Sequence, residues 1–231
     1  MFLTEALGLE GSTGSLYLQI GGVLLSMIIP YLIGSINPAI IFSRLFFKDD
    51  IREHGSGNAG TTNTLRTYGK RMAALILVLD FLKAVLSVYI GYLILPYQLG
   101  GGAIAGIFVI LGHAFPVYYK FRGGKGVACL AGVVLILSPI SFLILILLFI
   151  AIVVMSRFVS LGSIMCVMLW PILHFAFYPL QAWTTIASIV IMLIIVFMHR
   201  ENIKRLMAGK ESKISFKKKK PENTEDNNGN T

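Results

Sequence analysis

Charge is scarce in this chain. Only 13% of its 231 residues are Asp, Glu, Lys or Arg, against 56% that are hydrophobic. That balance is too apolar for an ordinary soluble domain. The charge is also missing in blocks: none falls in 11–43, 126–156 or 158–199. Uncharged apolar runs of that length are the signature of a chain that crosses a bilayer. Cysteine is nearly absent. Cys129 and Cys166 both sit inside apolar stretches, which reads as two buried small hydrophobes and gives no sign of a disulfide or metal framework. Residues 1–15 carry Glu5 and Glu10 but no Lys or Arg. A secretory leader needs a basic n-region, so the first apolar run is expected to remain as a membrane span. The four histidines are scattered and no carboxylate cluster has ligand spacing. No metal and no cofactor is therefore expected.

The charge that is present is mostly positive, with a formal net of +9. Nucleic acid is a poor explanation, because the basic residues stand at the ends of apolar runs. That is the placement the positive-inside bias gives cytoplasmic loops. Splitting the runs at their Pro and Gly positions predicts spans at 16–42, 72–95, 100–111, 127–137, 140–155, 158–177 and 181–198. Starting outside, this order puts every Lys- or Arg-bearing loop on one face. The expected fold is an all-α integral membrane protein with seven transmembrane helices, the N-terminus outside and the C-terminus cytoplasmic. It divides into an external segment 1–15, a spanning domain 16–198, a cytoplasmic motif helix 199–216, and a basic then polar tail 217–231. Lys217–Lys220 could touch anionic headgroups, and 221–231 is expected to be disordered.

Three polar segments interrupt the grease, all on the expected cytoplasmic side. The first, 50–63, is glycine-dense. Gly55, Gly57 and Gly60 free the backbone to aim N–H groups at one point. Ser56, Asn58, Thr61, Thr62 and Asn63 add neutral hydrogen-bonding groups, flanked by Arg52 and Arg66. That inventory suits a phosphate. The second, 120–126, holds Gly123-Gly124-Lys125-Gly126 ahead of a helix start, where free N–H groups and a positive dipole end face an anion. It is not a Walker A loop, since Tyr119 and Gly126 stand where that pattern needs Gly and Ser/Thr. The third, 199–211, places His199 and Asn202 on one helix face. Glu201 and Arg205 at i,i+4 read as support for the same helix. Asp80 and Lys83 share a face of the second span. They read either as a structural ion pair or as a pair that orients groups near a site. His113 is open between a structural and a binding role, and His174 reads as packing.

There is no Gly-x-Ser-x-Gly elbow for an acyl-enzyme and no His-x4-Asp box of the acyl-CoA-dependent kind. The chain resembles instead the bacterial acyl-phosphate:glycerol-3-phosphate acyltransferases. The matching stretches are Gly34-Ser35-Ile36, 50–63 with Leu65-Arg66, Asp80-Phe81-Leu82-Lys83, Leu111-Gly112-His113 with Phe115-Pro116-Val117, 123–128, Ser160-Leu161-Gly162-Ser163, and 199–211. The resemblance implies an acyl-phosphate donor, glycerol 3-phosphate as acceptor, and no cofactor. It implies catalytic roles for Ser35, Arg44, Lys125, His199 and Asn202. It implies substrate binding by Arg52, Gly55, Ser56, Gly57, Asn58, Gly60, Thr61, Asn63, His113, Gly123, Gly124, Gly126, Ser163 and Glu211, with the glycine turn as the donor-phosphate cradle. The implied partners are membrane lipid and the soluble phosphate acyltransferase that forms the acyl phosphate. The implied location is the bacterial cell membrane with the site facing the cytoplasm. The chain departs from the family where Asn37, not Pro, follows Gly-Ser-Ile; Pro38 comes one later. Thr61, Ala84 and Cys129 are small-for-small departures.

An acyl phosphate already carries a good leaving group, so no enzyme nucleophile is required. The difficulty is the repulsion of two phosphates. Arg44, Lys125 and backbone N–H groups are expected to offset it. The alternative reading is a transporter for an organic phosphate. It is weakened by the absence of an evident internal repeat and by external loops without Lys or Arg.

Overall fold

The computed structural model describes residues 12–95 and 100–214. The readings made for residues 1–11, the outer turn at 96–99 and the tail 217–231 lie outside them. The described residues form ten α-helices and two short 3-10 turns, with no strand. We number the helices α1 Ser12–Ser35, α2 Pro38–Phe47, α3 Thr61–Thr67, α4 Lys70–Ile94, α5 Gly101–Ala114, α6 Val127–Leu137, α7 Pro139–Ser156, α8 Val159–Phe177, α9 Ala182–Met198 and α10 Arg200–Met207.

Five stretches are long and apolar enough to cross a membrane: Leu16–Phe47, Lys70–Ile94, Gly101–Tyr119, Pro139–Ser156 and Val159–Phe177. α9 and α10 together make a sixth, bent by 60° at His199. The remaining expected span, α6, has 11 residues. At ~1.5 Å per residue it rises about 16 Å, roughly half a hydrocarbon core.

α5 is the axis of the bundle. The apolar stretch Gly101–Tyr119 that it opens is 61% buried over 18 residues, against 17% for α7 at the rim. Small residues let α5 come close to its neighbours. A Cβ on Gly34 of α1 would sit 2.3 Å from Val109 O, and one on Gly112 of α5 would sit 2.2 Å from Tyr31 O. Each glycine thus opens room for the other helix's backbone, the usual device where lipid gives no hydrophobic drive between helices. Leu143, Leu147, Ile150 and Val154 of α7 are exposed, as expected of a lipid-facing helix.

The breaks in the bundle create the site. α1 ends at Ser35 because Pro38 cannot donate to the ladder. Asn37, extended at φ −107°, caps α2 by accepting from Ile40 N, with Pro38 at the first helical position. That is where the family pattern has proline one residue earlier, so the cap supplies the stop. The carbonyls freed by the break are taken by Lys83, whose Nζ lies 3.1 Å from Gly34 O and 2.7 Å from Ile36 O. α6 and α7 part at Ser138-Pro139. There Ser138 Oγ meets His174 Nδ1 at 2.7 Å and accepts from Trp170 Nε1 at 3.2 Å. His174 is therefore more than packing, because it ties this break to α8. A second small core, Ala39, Ile40, Ile51, Ala59 and Ile76, lies under the 50–63 loop and fixes it to α2 and α4.

Candidate active site

The 50–63 loop is held from within by Asn63 and from outside by its neighbours. Asn63, 2% exposed, accepts from Ser56 N at 2.9 Å. It donates to Ile51 O at 3.0 Å and to His54 O at 2.9 Å. Gly55 and Gly57 take φ of +57° and +70° to make the turn between them. Asn37 Nδ2 donates to Ala59 O, and Ala59 N donates to Gly123 O, so the loop is stitched to the glycine turn. Arg52 spans the same two pieces. It holds Asp50 through Nε and Nη2 at 2.9 and 2.7 Å, and donates through Nη1 to Tyr119 O and Arg122 O. Its hydrogen bonds keep the Asp50 carboxyl well below the usual range, against a smaller opposing effect of burial.

The glycine turn hangs from the end of α5, with Gly123 N donating to Ala114 O and Gly124 N to His113 O. Gly126, at φ +81°, starts α6 with no side-chain cap. Val127 and Ala128 open onto a cavity of about 290 Å³. Lys125 reaches into this cavity and donates to Asn202 Oδ1 of α10. Burial, and next the nearby Arg205, lower its pKa to about 8, against the pull of Glu211.

After α10 the chain turns back at Gly209, φ +66°, and lays Glu211 into the cavity wall. Glu211 Oε1 accepts from Ser160 Oγ and Asn202 Nδ2, both at 2.7 Å, and Oε2 accepts from Arg205 Nε at 2.7 Å. Burial opposes its charge, but those hydrogen bonds hold its pKa below the usual glutamate range. Ile214 N donates to Arg157 O at 2.8 Å, and Arg66 Nη2 donates to Ser212 O at 3.3 Å, which closes the flank. Arg205 does not pair with Glu201, as helix periodicity suggested. Glu201 takes Lys204 at 3.1 Å instead.

The structure brings together, around this one cavity, Ser56, Asn58, Gly60, Thr61, Asn63, His113, Lys125, Gly126, Ser163, His199, Asn202 and Glu211 of the expected site residues. Six polar or charged residues not assigned to the site also line it: Thr62, Arg66, Asp80, Ser160, Arg205 and Ser212. Of these, Thr62, Arg66, Asp80, Ser160 and Arg205 lay inside the quoted motifs. Only Ser212 lay beyond them, brought in by the reversal at Gly209. Elsewhere lie Ser35, Arg44, Arg52, Gly55, Gly57, Gly123 and Gly124. Ser35 is buried, donating to Tyr31 O and accepting from Val117 N. Arg44 is half exposed, 2.9 Å from Asp50 Oδ2 and stacked 5.8 Å over the Tyr119 ring. His199 is 2% exposed. Its Nδ1 lies 2.8 Å from Ile195 O, so Nδ1 carries a proton and the neutral ring keeps its lone pair on Nε2.

Asp80, His113 and Cys129 converge with ligand atoms within 4.8 Å of one another, which their sequence spacing hid. The Lys83 ammonium stands among them, 2.7 Å from Asp80 Oδ1 and 3.1 Å from His113 Nδ1. A protein cation already fills the position a metal would need.

The same cavity is also lined by the apolar side chains of Leu77, Phe149, Val153, Val159 and Ile214. A helical membrane bundle whose cleft combines cationic and apolar lining is a membrane-embedded enzyme for chain-bearing anions. The profile of the glycerol-3-phosphate acyltransferase family matches residues 24–209. A glycerol-3-phosphate acyltransferase of Thermoanaerobacter sp. (strain X514) is 45% identical over 84% of this chain and 96% of its own length. One of Staphylococcus aureus is 38% identical, over 84% and 98%. Among solved structures, the integral membrane glycerol 3-phosphate acyltransferase PlsY in its glycerol 3-phosphate form is 36% identical. It superposes with a TM-score of 0.78 over 84% of this chain and 96% of that one. The same protein in its lysophosphatidic acid form gives 0.76. The chain belongs to the glycerol-3-phosphate acyltransferase family.

Proposed function

We propose that this protein moves a fatty acyl group from an acyl phosphate to the 1-hydroxyl of glycerol 3-phosphate, releasing lysophosphatidate and phosphate. One observation carries the reading: a single cavity is lined both by Lys125 and the α6 start and by the apolar side chains of Leu77, Phe149 and Val153. A phosphate at one end and an alkyl chain at the other are the two parts of both the donor and the product. The crystal forms of the relative, with glycerol 3-phosphate and with lysophosphatidic acid, support the same substrate and product.

An acyl phosphate is an already activated donor, and nothing in the cleft is built as a nucleophile, which fits direct transfer from it. Ser163 Oγ donates to Val159 O and Ser160 Oγ to Glu211. No cleft serine or cysteine among the described residues hydrogen-bonds an imidazole. The hydroxyl of glycerol 3-phosphate attacks the acyl carbon directly, the acyl–oxygen bond to phosphate breaks, and the proton leaves to the departing phosphate or to His199 Nε2. Lys125 and the first turn of α6 hold one phosphate; Arg66 and Arg205 flank the second. Asn202 and Glu211 place Lys125 and Arg205. Arg44, Arg52 and Ser35 act at one remove, holding Asp50 and the α5 end that shape the loop.

In this proposal α6 completes seven crossings, the N-terminus is outside, and the cleft faces the cytoplasm of a bacterial cell. The basic residues of the 44–71, 120–125 and 200–213 segments, which carry the motifs, support that side. The soluble enzyme that makes acyl phosphate supplies the donor. The decisive assay is purified protein in detergent with glycerol 3-phosphate and either palmitoyl phosphate or palmitoyl-CoA. Product is expected with the phosphate only; product from the CoA ester alone overturns the donor. His199→Ala at wild-type rate would leave the donor phosphate as the base.

A further inference from the structure

His113 is buried, with 3% of the residue exposed, yet it lines the cavity beside Lys125 and the α6 start. Its ring is held from one side only. Nδ1 lies 3.1 Å from Lys83 Nζ and 3.3 Å from Asp80 Oδ1, both on α4. The Cys129 thiol of α6 approaches the same group. Nε2 has no hydrogen-bond partner among the described residues. It lies against Gly124, where a Cβ would fall 2.2 Å from it. Only glycine at 124 leaves room beside that nitrogen.

We propose that the Asp80–Lys83 pair holds His113 so that Nε2–H donates to a phosphate oxygen resting on the glycine turn. The proton follows from counting donors. Lys83 has three protons, and Gly34 O and Ile36 O take two. The third goes to Asp80 or to His113 Nδ1. If Nδ1 accepts it, the ring's own proton is on Nε2. If Nδ1 instead donates to the carboxylate while a phosphate stands beyond, the ring lies between two anions and carries both protons. Each arrangement leaves an N–H at Nε2. Only a neutral ring with its proton on Nδ1 would turn a lone pair on the phosphate, and the anion selects against it. The same ammonium caps the carbonyls at the α1–α2 break, so one buried group joins the backbone stop to the phosphate contact. The inference rests on the acyltransferase reading only in that a phosphate occupies the cleft.

Two variants separate contact from scaffold. The amide nitrogen of Asn overlays imidazole Nδ1, and that of Gln overlays Nε2. His113→Asn keeps the link to Asp80 and loses the donor. His113→Gln keeps the donor and loses the link. Binding of inorganic phosphate and of glycerol 3-phosphate to the full chain in detergent, without acyl donor, is the readout. His113→Asn is expected to bind both at least about tenfold more weakly, the scale of one charge-assisted hydrogen bond. His113→Gln should stay within a few-fold of wild type. The reverse order makes His113 purely structural and overturns the proposal. Should either variant fail to fold, [15N]histidine-labelled wild-type protein decides. The imidazole N–H of His113, assigned by elimination with His54→Gln, His174→Gln and His199→Gln, must shift on titration with phosphate; an unmoved His113 signal at saturating glycerol 3-phosphate overturns the contact. Because no acyl donor is present, these outcomes are independent of which donor the enzyme uses.

Discussion

The two walls of the cleft are built on opposite plans. On the 50–63 wall the cleft is lined by neutral groups, Ser56, Asn58, Gly60, Thr61 and Asn63, with Asn63 satisfying three backbone groups of its own loop. The facing wall is charged and tied across elements. Lys125 from the α5–α6 connection meets Asn202 of α10, and Asn202 meets Glu211, which binds Ser160 of α8. The difference teaches where a phosphate's charge can be met. Arg44 and Arg52 are already engaged by the Asp50 carboxylate. Lys125 shares only a neutral amide oxygen and keeps its charge for an anion. Glycine density marked the wall that gives shape, while the working charge stands opposite.

Four measurements would break or sharpen that contrast. The largest effect belongs to Lys125→Ala, expected to lower turnover at least about a hundredfold, the scale of one lost electrostatic donor. Its melting temperature should hold, since a buried ammonium is removed. Normal turnover would take the charged wall out of the mechanism. Next is Asn63→Ala, which strips three hydrogen bonds from a buried loop. A loss of about 2–3 kcal/mol is expected, read as a lower melting temperature in detergent. Full stability with lost activity would instead make Asn63 a substrate ligand. Third is pH. Because burial lowers the Lys125 pKa to about 8, the ammonium is charged below that value and lost above it. Phosphate affinity should therefore fall as pH rises through about 8. In Lys125→Arg, whose guanidinium stays charged, that limb should move upward; an unmoved limb assigns it to another group. The smallest effect is Arg44→Ala. Its pair with Asp50 is half exposed, and such pairs contribute within about 1 kcal/mol. A few-fold change in turnover is expected, and a hundredfold loss would show that Arg44 swings into the cleft when substrate binds.

Much of the frame was legible in the chain because its rules are local. Proline marked the break at Ser138-Pro139, and uncharged runs marked the long helices, but the expected span 16–42 ran through the break at Asn37-Pro38. The Asp80–Lys83 pair was readable from its i,i+3 spacing. What could not be read was side-chain partnership at a distance. Lys125 and Asn202 are 77 positions apart, and no periodicity links them. Arg205 was matched to Glu201 by helical spacing, yet the turn at Gly209 offers it Glu211, which is better buried. The grouping of Asp80, His113 and Cys129 spans three helices and shows only once α4, α5 and α6 are packed. Asn37 was the clearest departure from the family pattern, and its cap shows that a side-chain acceptor can end a helix as a proline does.

The brevity of α6 has a consequence for traffic. An 11-residue helix rises about 16 Å, roughly half a hydrocarbon core, so in the proposed topology its amide-bearing end lies within the bilayer's own depth. The water-soluble reactant must sink to meet its fatty partner, which never has to rise out of oil. A sixteen-carbon tail spared that climb avoids a penalty of about 0.8 kcal/mol for each methylene. The newborn lipid can slip sideways into the leaflet where its neighbours already lie.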